Sequence, residues 1–366
     1  MVLSWLAANP RAKHPQPYGT AQRAVVDPDA VPDISALKIE DKRPTPLVAL
    51  PGLAAHLGVG EIRVKDESQR FGFGAFKALG GVFAVDQFVA THKDRRPADI
   101  VFTTASSGNH GRSVALGAQL AGARCTIFLP KFTSAEKEAA IRAKGAEVIR
   151  VDGGYEAAVA ECSRQATANG WTIISDTSWD GYQQVPRDVM RGYTVLAEEI
   201  VRQWPDAPTH VFVQAGVGGL AAALIGHLWA KLPQRPQFIV VEPESADCWL
   251  QSNRAGKPAL ASGNADTVMG GLACREISPL TWPIVGLGTD WFMTIAEDMV
   301  MPARRQYARP LGSDPAIASG PSGCAGMAAL LRVCSDGEAR KALGLGPKSR
   351  VLLINSEGNL GEGLPD

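Results

Sequence analysis

Short apolar runs alternate with segments of helical periodicity between residue 100 and residue 180. The apolar runs predict buried strands at residues 100–104, 125–129, 147–151 and 171–175. Apolar residues at helical spacing predict helices between these strands, at residues 112–120, 134–144 and 155–168. Strands that alternate with helices in this way indicate a mostly parallel sheet covered by helices on both faces.

The same alternation returns after residue 210 and is weaker near the N-terminus. It predicts strands at 211–214, 238–242 and 350–355, and helices at 220–232 and 325–333. Before residue 100 it predicts a helix at 47–57, a strand at 61–65 and a helix at about 77–91. Residues 1–42 show little periodicity, so we expect an irregular N-terminal arm.

These elements predict an α/β fold with two open, mostly parallel domains. We expect residues 1–90 and 181–366 to form the larger domain and residues 91–180 to form a smaller domain inserted in it. A chain of 366 residues has room for two hydrophobic cores, at about 150 residues per domain. Ligands of such folds commonly bind in a cleft between domains, where we expect a cofactor.

Composition and charge argue against several classes of protein. Apolar residues make up 45% of the chain and charged residues 20%, as in ordinary globular proteins. Lys plus Arg equals Asp plus Glu, at 37 each, so charge offers no argument for binding nucleic acid or an anionic membrane. No apolar stretch reaches the ~18 residues of a membrane helix and no basic leader precedes the first apolar run, so we expect a cytoplasmic protein. The six cysteines lack a Cys-x-x-Cys spacing and signal neither a zinc site nor a redox motif.

Lys77 is the first candidate for chemistry. It lies in the sequence Gly-Phe-Gly-Ala-Phe-Lys-Ala-Leu-Gly-Gly at residues 72–81, where apolar residues and glycines surround a single cation. Desolvation lowers the pKa of an ammonium group, and a neutral amine can attack an aldehyde to form a Schiff base. The alternative is a lysine whose stem lies along an amphipathic helix and whose ammonium is in water.

A glycine-rich turn follows the predicted strand at 211–214. Free backbone amides at the start of the next helix would bind a phosphate, and they belong to Gly216, Val217, Gly218, Gly219 and Leu220. The same turn also fits a dinucleotide fingerprint, with Glu242 near the expected position of a ribose-binding acid. A third alternative is a tight turn that needs glycine only for its backbone angles.

A second polar loop follows the predicted strand at 100–104. Its residues are Ser106, Ser107, Gly108, Asn109 and His110, and they precede a predicted helix. A row of amide donors at a helix start suits a substrate carboxylate, and the Asn109 amide can donate to a phenolic oxygen. The alternative is an ordinary Ser or Asn helix cap.

Ser356 is a third candidate, because it directly follows the apolar strand predicted at 350–355. Its hydroxyl could form a hydrogen bond with a ring nitrogen without carrying charge. The alternative is a C-terminal turn.

With these features, the chain resembles the fold type II pyridoxal phosphate enzymes, the superfamily of tryptophan synthase β and the serine/threonine dehydratases. More narrowly, it resembles the diaminopropionate ammonia-lyases over nearly the whole chain from residue 43. The likeness rests on Arg-Pro-Thr-Pro-Leu at 43–47, Lys-Asp-Glu-Ser at 65–68, Asp-Thr-Ser-Trp-Asp-Gly-Tyr at 176–182, Gln-Ala-Gly-Val-Gly at 214–218, Val-Glu-Pro-Glu-Ser-Ala-Asp-Cys at 241–248 and Gly-Leu-Ala-Cys at 271–274.

The resemblance implies a role for each candidate residue. Lys77, beside Phe76, would bind pyridoxal 5'-phosphate as an internal aldimine and later move the α-proton. The amides of residues 216–220 would bind the phosphate, Asn109 the phenolic oxygen and Ser356 the pyridine nitrogen. Substrate would contact Ser106, Ser107, Gly108, Asn109, His110 and Asp176. Cys248 and Cys274 match a cysteine pair in the family, and the resemblance leaves open whether they are bonded here.

Ser107 departs from the family pattern. The diaminopropionate lyases typically carry aspartate there, as a base on the cofactor face opposite the lysine, whereas this chain has serine like the dehydratases and serine racemase. A serine hydroxyl is a poor resting base, so we expect a preference for the L-enantiomer. Asp176, the other acidic residue of the family's site, is retained, and its alternative is an ordinary cap or turn aspartate.

The resulting hypothesis is a β-elimination of 2,3-diaminopropionate to pyruvate and ammonia, with Lys77, Asp176 and Ser107 as the catalytic candidates. The nearest alternative is a dehydratase or racemase acting on serine, threonine or 3-hydroxyaspartate. A dinucleotide-dependent dehydrogenase and a binding protein that has lost activity are more distant ones. The family suggests a homodimer, and the expected partner is a small amino acid.

Overall fold

The computed structural model describes residues 3–12, 16–39 and 41–359. They form two compact units. The first unit contains Met1–Val31, Arg43–Ala75 and Thr194–Asp366, and the second contains Pro32–Lys42 and Phe76–Tyr193. The second unit includes the predicted inserted segment 91–180 and extends it at both ends, because helix Lys77–Thr91 packs along helix Asn109–Ala121.

The strands have the following bounds in chain order: β1 Leu6–Ala8, β2 Leu47–Ala49, β3 Glu61–Asp66, β4 Val101–Ala105, β5 Arg124–Pro130, β6 Glu147–Val151, β7 Thr172–Ile173, β8 His210–Gln214, β9 Gln237–Pro243, β10 Trp291–Ile295 and β11 Arg350–Asn355.

The α-helices are α1 Thr20–Arg23, α2 Pro51–Leu57, α3 Lys77–Thr91, α4 Asn109–Ala121, α5 Ala135–Arg142, α6 Tyr155–Asn169, α7 Gln184–Gln203, α8 Gly219–Lys231, α9 Cys248–Ala255, α10 Trp282–Gly288, α11 Val300–Ala308, α12 Ala325–Ser335 and α13 Gly337–Leu343. Within the described part of the chain, none of the helices has the length and apolar composition needed to cross a membrane.

The first unit is built on a sheet of strand order β1-β10-β9-β8-β11-β3-β2. Its five inner strands run parallel, and the edge strands β1 and β2 are antiparallel to their neighbours. The inner strands β8, β9 and β10 and most of β11 are apolar and buried, as expected of a sheet covered on both faces, whereas β3 alternates apolar with charged residues. Leu353 of β11 pairs with Phe212 of β8, so the turn after β8 and the residue after β11 lie at the same edge of this sheet.

Two predictions for the N-terminal part of this unit are wrong. Residues 47–57 were predicted as one helix, but residues 47–49 form β2 against β3 and the helix begins at Pro51. Proline is favoured in the first turn of a helix, and the residue before it is disfavoured from helical angles. The N-terminal arm is also not wholly irregular, because Leu6–Ala8 pairs with β10. Three residues at a sheet edge are too short to show a period in the sequence.

The second unit is built on a four-stranded parallel sheet of order β6-β5-β4-β7 within the described residues. The strands predicted here agree closely with β4, β5 and β6, but β7 has two residues where 171–175 was predicted. At the end of β7, side chains instead of a neighbouring strand bind the backbone carbonyls. The Tyr182 hydroxyl donates to Ile173 O, and His110 Nε2 contacts Ile174 O at 2.8 Å. Helix α3 packs against α4 at Gly81, where a Cβ would clash with Ser113 Oγ.

A buried charge quartet, Lys65, Glu67, Arg70 and Glu199, lies in the first unit at the end of β3 and on α7. Lys65 Nζ is 2.6 Å from Glu199 Oε2, while Arg70 Nη2 is 2.8 Å from Glu67 Oε1 and 2.7 Å from Glu199 Oε2. Burial opposes the charge of Glu67, but the Arg70 guanidinium holds the pKa of that carboxyl below its usual value. Two cations and two carboxylates balance, so the quartet can remain ionised without water.

Candidate active site

Lys77 is the first residue of α3 and forms an ion pair in the second unit. Its Nζ donates a 2.5 Å hydrogen bond to Asp176 Oδ2, and the two side chains are only 17% and 19% exposed. Burial opposes ionisation of Asp176, but the Lys77 ammonium holds the pKa of that carboxyl well below its usual range. Asp176 is therefore a carboxylate near neutral pH, held against the lysine that sequence analysis singled out.

His110 is buried beside this pair rather than exposed in the loop before α4. Its Nε2 contacts Ile174 O at 2.8 Å, and because a carbonyl only accepts, Nε2 carries the proton. Nδ1 lies 3.9 Å from Asp176 Oδ2 and has no hydrogen-bond partner among the described residues. Burial lowers the pKa of His110, so its neutral form is favoured. His110 contacts Asp176 and the carbonyl that follows β7. These contacts favour a role in positioning Asp176 over direct contact with the substrate.

Phe76 and Tyr193 flank the Lys77 ammonium. Nζ lies 5.4 Å from the ring centroid of Phe76 and 5.9 Å from that of Tyr193. Tyr193 was not among the predicted site residues, because neither helix α7 nor a motif was recognised around it. The signal that could have found it is Gly192, a glycine inside α7 whose Cβ would clash with Leu79 O. This glycine allows α7 to approach α3 one residue before the tyrosine.

The polar loop between β4 and α4 contains Ser106, Ser107 and Gly108, followed by Asn109 at the helix start. Gly108 is the N-cap and no side chain caps this helix, so the predicted alternative of a Ser or Asn cap is not what forms. Arg112 Nη1 donates to Asn109 Oδ1 at 2.8 Å. This contact fixes the amide, so that Nδ2 is the atom that can donate to a ligand. The start of a 13-residue helix and an oriented amide suit an anionic oxygen.

The glycine turn of the first unit leads from β8 into α8. The carbonyl of Gly216 accepts from Trp249 Nε1 at 2.9 Å, and that of Val217 accepts from Ser278 N at 2.9 Å. With the carbonyls tied in this way, the amides of residues 217–220 face no hydrogen-bond acceptor in the described part of the chain. Gly218 has φ +102, and a Cβ there would clash with Trp249, so only glycine fits. The turn has the donor set that a phosphate ester requires.

Ser356 follows β11 and is buried at the same sheet edge as this turn. Its Oγ lies 2.9 Å from Gln214 Nε2, which also donates to the carbonyls of Ser322 and Ile354. An amide nitrogen cannot accept a hydrogen bond, so the hydroxyl hydrogen of Ser356 points elsewhere. A neutral donor directed in this way fits an unprotonated pyridine nitrogen, and with the glycine turn it makes the residues present compatible with pyridoxal phosphate.

Comparisons with known proteins decide the family. Residues 39–357 match the family model described as pyridoxal-phosphate dependent enzyme. The chain is 38% identical over 342 residues to the diaminopropionate ammonia-lyase of Escherichia coli (strain K12), covering 88% of this chain and 86% of the relative. It is 35% identical over 350 residues to that of Salmonella typhimurium (strain LT2), with 88% and 87% covered. The chain belongs to the diaminopropionate ammonia-lyase family of pyridoxal-phosphate-dependent enzymes.

A solved structure of a member of this family agrees with the assignment. It is the Escherichia coli diaminopropionate ammonia-lyase in complex with an aminoacrylate-PLP azomethine reaction intermediate. Its TM-score is 0.86 at 35% identity, covering 99% of this chain and 96% of that chain. The predictions of a fold type II α/β structure, a lyase and a pyridoxal phosphate cofactor are thereby confirmed.

Glu242 gives a separate argument against the dinucleotide alternative. Its carboxyl is fully buried and accepts hydrogen bonds from two backbone amides. Trp249 N lies 2.7 Å from Oε1, and Leu250 N lies 2.9 Å from Oε2. Burial raises the pKa of Glu242 to about 8. A group with both oxygens engaged inside the core cannot bind a ribose, so it serves to cap α9.

No disulfide joins the nearby Cys248 to Cys274 in the described residues.

The structure thus collects the predicted site residues into two groups. The second unit holds Lys77, Phe76, Asp176, His110 and the loop at 106–109, of which Lys77, Asp176 and His110 are in direct electrostatic contact. The first unit holds the glycine turn at 216–220 and Ser356 at one sheet edge. The roles of these residues remain predictions.

Proposed function

We propose that this chain eliminates ammonia from 2,3-diaminopropionate, giving pyruvate and two molecules of ammonia. The observation that carries the proposal is the Lys77–Asp176 hydrogen bond, which holds an amine and a carboxylate together with little exposure to water. Support for the substrate comes from the diaminopropionate ammonia-lyases of Escherichia coli and Salmonella typhimurium, similar to this chain over most of their length.

Pyridoxal phosphate, when bound, supplies an aldehyde for a lysine and a ring that spreads the negative charge of a carbanion. Lys77 would hold its aldehyde carbon, the amides of residues 216–220 its phosphate, Asn109 Nδ2 its phenolic oxygen and the Ser356 hydroxyl its ring nitrogen.

Proton movement falls to Lys77 and Asp176. As a neutral amine Lys77 would take the α-proton of the substrate, and Asp176 would hold the resulting ammonium. Before that step Asp176 has a second use, because its ionised carboxylate can pair with the β-ammonium that distinguishes diaminopropionate from serine. His110 lies beside Asp176, with Nδ1 3.9 Å from Oδ2, and would help to keep that carboxylate in place.

The substrate carboxylate has a natural partner in the loop at 106–109, through the amides at the start of α4. Ser107 lies in this loop where the family typically carries an aspartate. A hydroxyl cannot act as a resting base at neutral pH, so proton removal from the second face is impaired and the L-enantiomer is preferred. The same serine favours some dehydratase activity towards L-serine as a second function.

The deciding experiment is a panel of L- and D-amino acids with different β-substituents, assayed for 2-oxo acid and ammonia together. L-2,3-Diaminopropionate should give two ammonia per pyruvate, and serine should give one. A higher kcat/KM for serine or threonine than for diaminopropionate would refute the assignment and favour the dehydratase alternative. Borohydride treatment followed by peptide mapping should leave reduced cofactor on Lys77.

The resemblance also suggests a cytoplasmic homodimer, which we include in the proposal. Light scattering on the purified protein tests the dimer, and fractionation of cells that express the chain tests the location. A monomer at micromolar concentration would contradict the first, and recovery with membranes would contradict the second.

A further inference from the structure

Tyr193 has a buried hydroxyl that the proposed reaction does not yet use. The residue is 1% exposed, and its Oη makes no hydrogen bond of standard geometry with the described residues, although the Lys77 side chain is near enough to act on the phenol. Its ring packs on Phe76 with centroids 4.8 Å apart, and it faces Lys77 Nζ at 5.9 Å from the centroid. The phenol end also lies over Gly80, where a Cβ would clash with Cε1 and Cζ of the ring. Glycine at position 80 is therefore what admits a tyrosine to this place beside Lys77.

Packing alone does not account for this hydroxyl. Burying a phenol without a hydrogen-bond partner is unfavourable, whereas phenylalanine would fill the same space without that cost. A second buried phenol, Tyr307, also lacks a partner among the described residues, but it belongs to the first unit, where Cys324 and Asp66 are the titratable groups that act on it. The feature peculiar to Tyr193 is the lysine.

We propose that Tyr193 is a positioning residue for Lys77, an inference that rests on the proposed function. Its Oη accepts one hydrogen of Lys77 Nζ while Asp176 Oδ2 accepts another. A neutral amine has two hydrogens and one lone pair, so two acceptors fix the direction of the lone pair. Tyr193 and Asp176 together thereby aim the amine at the atom that it attacks or deprotonates.

The charges around the phenol are compatible with this role. Burial raises the pKa of Tyr193, and the Lys77 ammonium opposes that effect, so the hydroxyl remains protonated and neutral at physiological pH. Asp176 and His110 are the other titratable groups at Lys77. A neutral oxygen can accept a hydrogen bond from the amine without forming a second ion pair. A second ion pair would keep the Lys77 nitrogen protonated.

The test is Tyr193→Phe, which removes the hydroxyl and keeps the ring. In the cofactor-free protein, the pH at which Lys77 is half reactive towards acetic anhydride, followed by mass spectrometry, should fall by about one unit, because an acceptor for the charged amine is lost. The visible absorbance of the cofactor-loaded protein, titrated with pH in the absence of substrate, should shift in the same direction. The kcat should fall about tenfold with little change in KM.

Tyr307→Phe is the matched control, and it should leave both titrations unchanged. The melting temperature of Tyr193→Phe should stay close to that of the unmodified chain, because the ring and its packing are kept. Unchanged titrations in Tyr193→Phe, or equal shifts in Tyr307→Phe, would overturn the inference while leaving the proposed function intact. Absence of borohydride label from Lys77 in the unmodified protein would instead overturn the proposed function.

Discussion

Lys77 and Asp176 lie 99 residues apart in sequence, and their side chains share a 2.5 Å hydrogen bond. Lys77 begins α3, whereas Asp176 follows the short strand β7, so the pair depends on the fold of the second unit. The lysine keeps the carboxylate ionised, and the carboxylate holds the lysine in one place. This mutual dependence makes both residues sensitive to single substitutions and gives the predictions that follow.

Lys77→Arg should abolish turnover while keeping the ion pair with Asp176. A guanidinium remains charged and cannot form a bond to an aldehyde, so kcat/KM for diaminopropionate should fall by at least about 10³-fold. The visible absorbance of lysine-bound cofactor should also be absent. Pyruvate assays and absorbance spectra check both points, and retention of either would contradict the assignment of Lys77.

Asp176→Asn should lower kcat by about 10²- to 10⁴-fold, the usual contribution of a positioned acid or base. The amide keeps the shape of the side chain but neither holds the lysine ammonium nor receives a proton. Asp180→Asn is the matched control, because Asp180 lies in the same loop and is exposed. Equal losses in the two variants would show that the loop matters and Asp176 does not.

The same pair should contribute to stability with a defined pH dependence. The folded-state pKa of Asp176 is below its unfolded value, so its contribution is complete above the unfolded value of about 4 and is lost as pH falls through the lowered folded value. The difference in free energy of unfolding between the unmodified chain and Asp176→Asn should therefore be constant near neutral pH and shrink in acid. Urea unfolding at pH 7, 5 and 3 measures it, and a difference that grows in acid would contradict the pairing.

Ser107→Asp should increase turnover of D-diaminopropionate, because it places a carboxylate where the family typically has one. A positioned base contributes about 10²- to 10⁴-fold, so kcat/KM for the D-form should rise by at least 10². Ser106→Asp, one residue earlier in the same loop, is the control and should not do so. The ratio of D- to L-turnover is the measurement, and efficient D-turnover by the unmodified chain would refute the role given to Ser107.

Gly218→Ala should weaken cofactor binding by at least about tenfold, since the residue has φ +102 and a Cβ would clash with Trp249. Gly344→Ala separates strain from function, because Gly344 also has positive φ but has open space where a Cβ would lie. Both variants should lose stability, and only Gly218→Ala should lose affinity for pyridoxal phosphate. Fluorescence titration with the cofactor, beside thermal melts, distinguishes them.

The sequence predicted regular elements better than it predicted side-chain contacts. Apolar runs such as 147–151 and 350–355 correspond to β6 and β11, because buried parallel strands are apolar along their whole length. Helix α7 and the edge strands β1 and β2 were not predicted, and β7 was predicted to be longer than it is. Hydrogen bonds from distant side chains to the carbonyls of Ile173 and Ile174 decide where β7 ends.

For the site, local motifs identified Lys77, the glycine turn and Ser356. Asp176 was identified through resemblance, because no spacing rule connects residues 99 positions apart. The burial of His110 could not be predicted, and Gly192 was the one sequence signal for the place of Tyr193, because both depend on tertiary packing around α3 and α4.

The quartet formed by Lys65, Glu67, Arg70 and Glu199 has a consequence for how related chains can diverge. Losing one member leaves an uncompensated charge in the interior, at a cost of roughly 3–5 kcal/mol, whereas exchanging the whole set for apolar residues of similar volume can be neutral. Sequence drift at these positions is therefore expected to proceed by joint replacement. Related proteins should carry either all four ionisable side chains or none, with mixed sets confined to chains that compensate nearby.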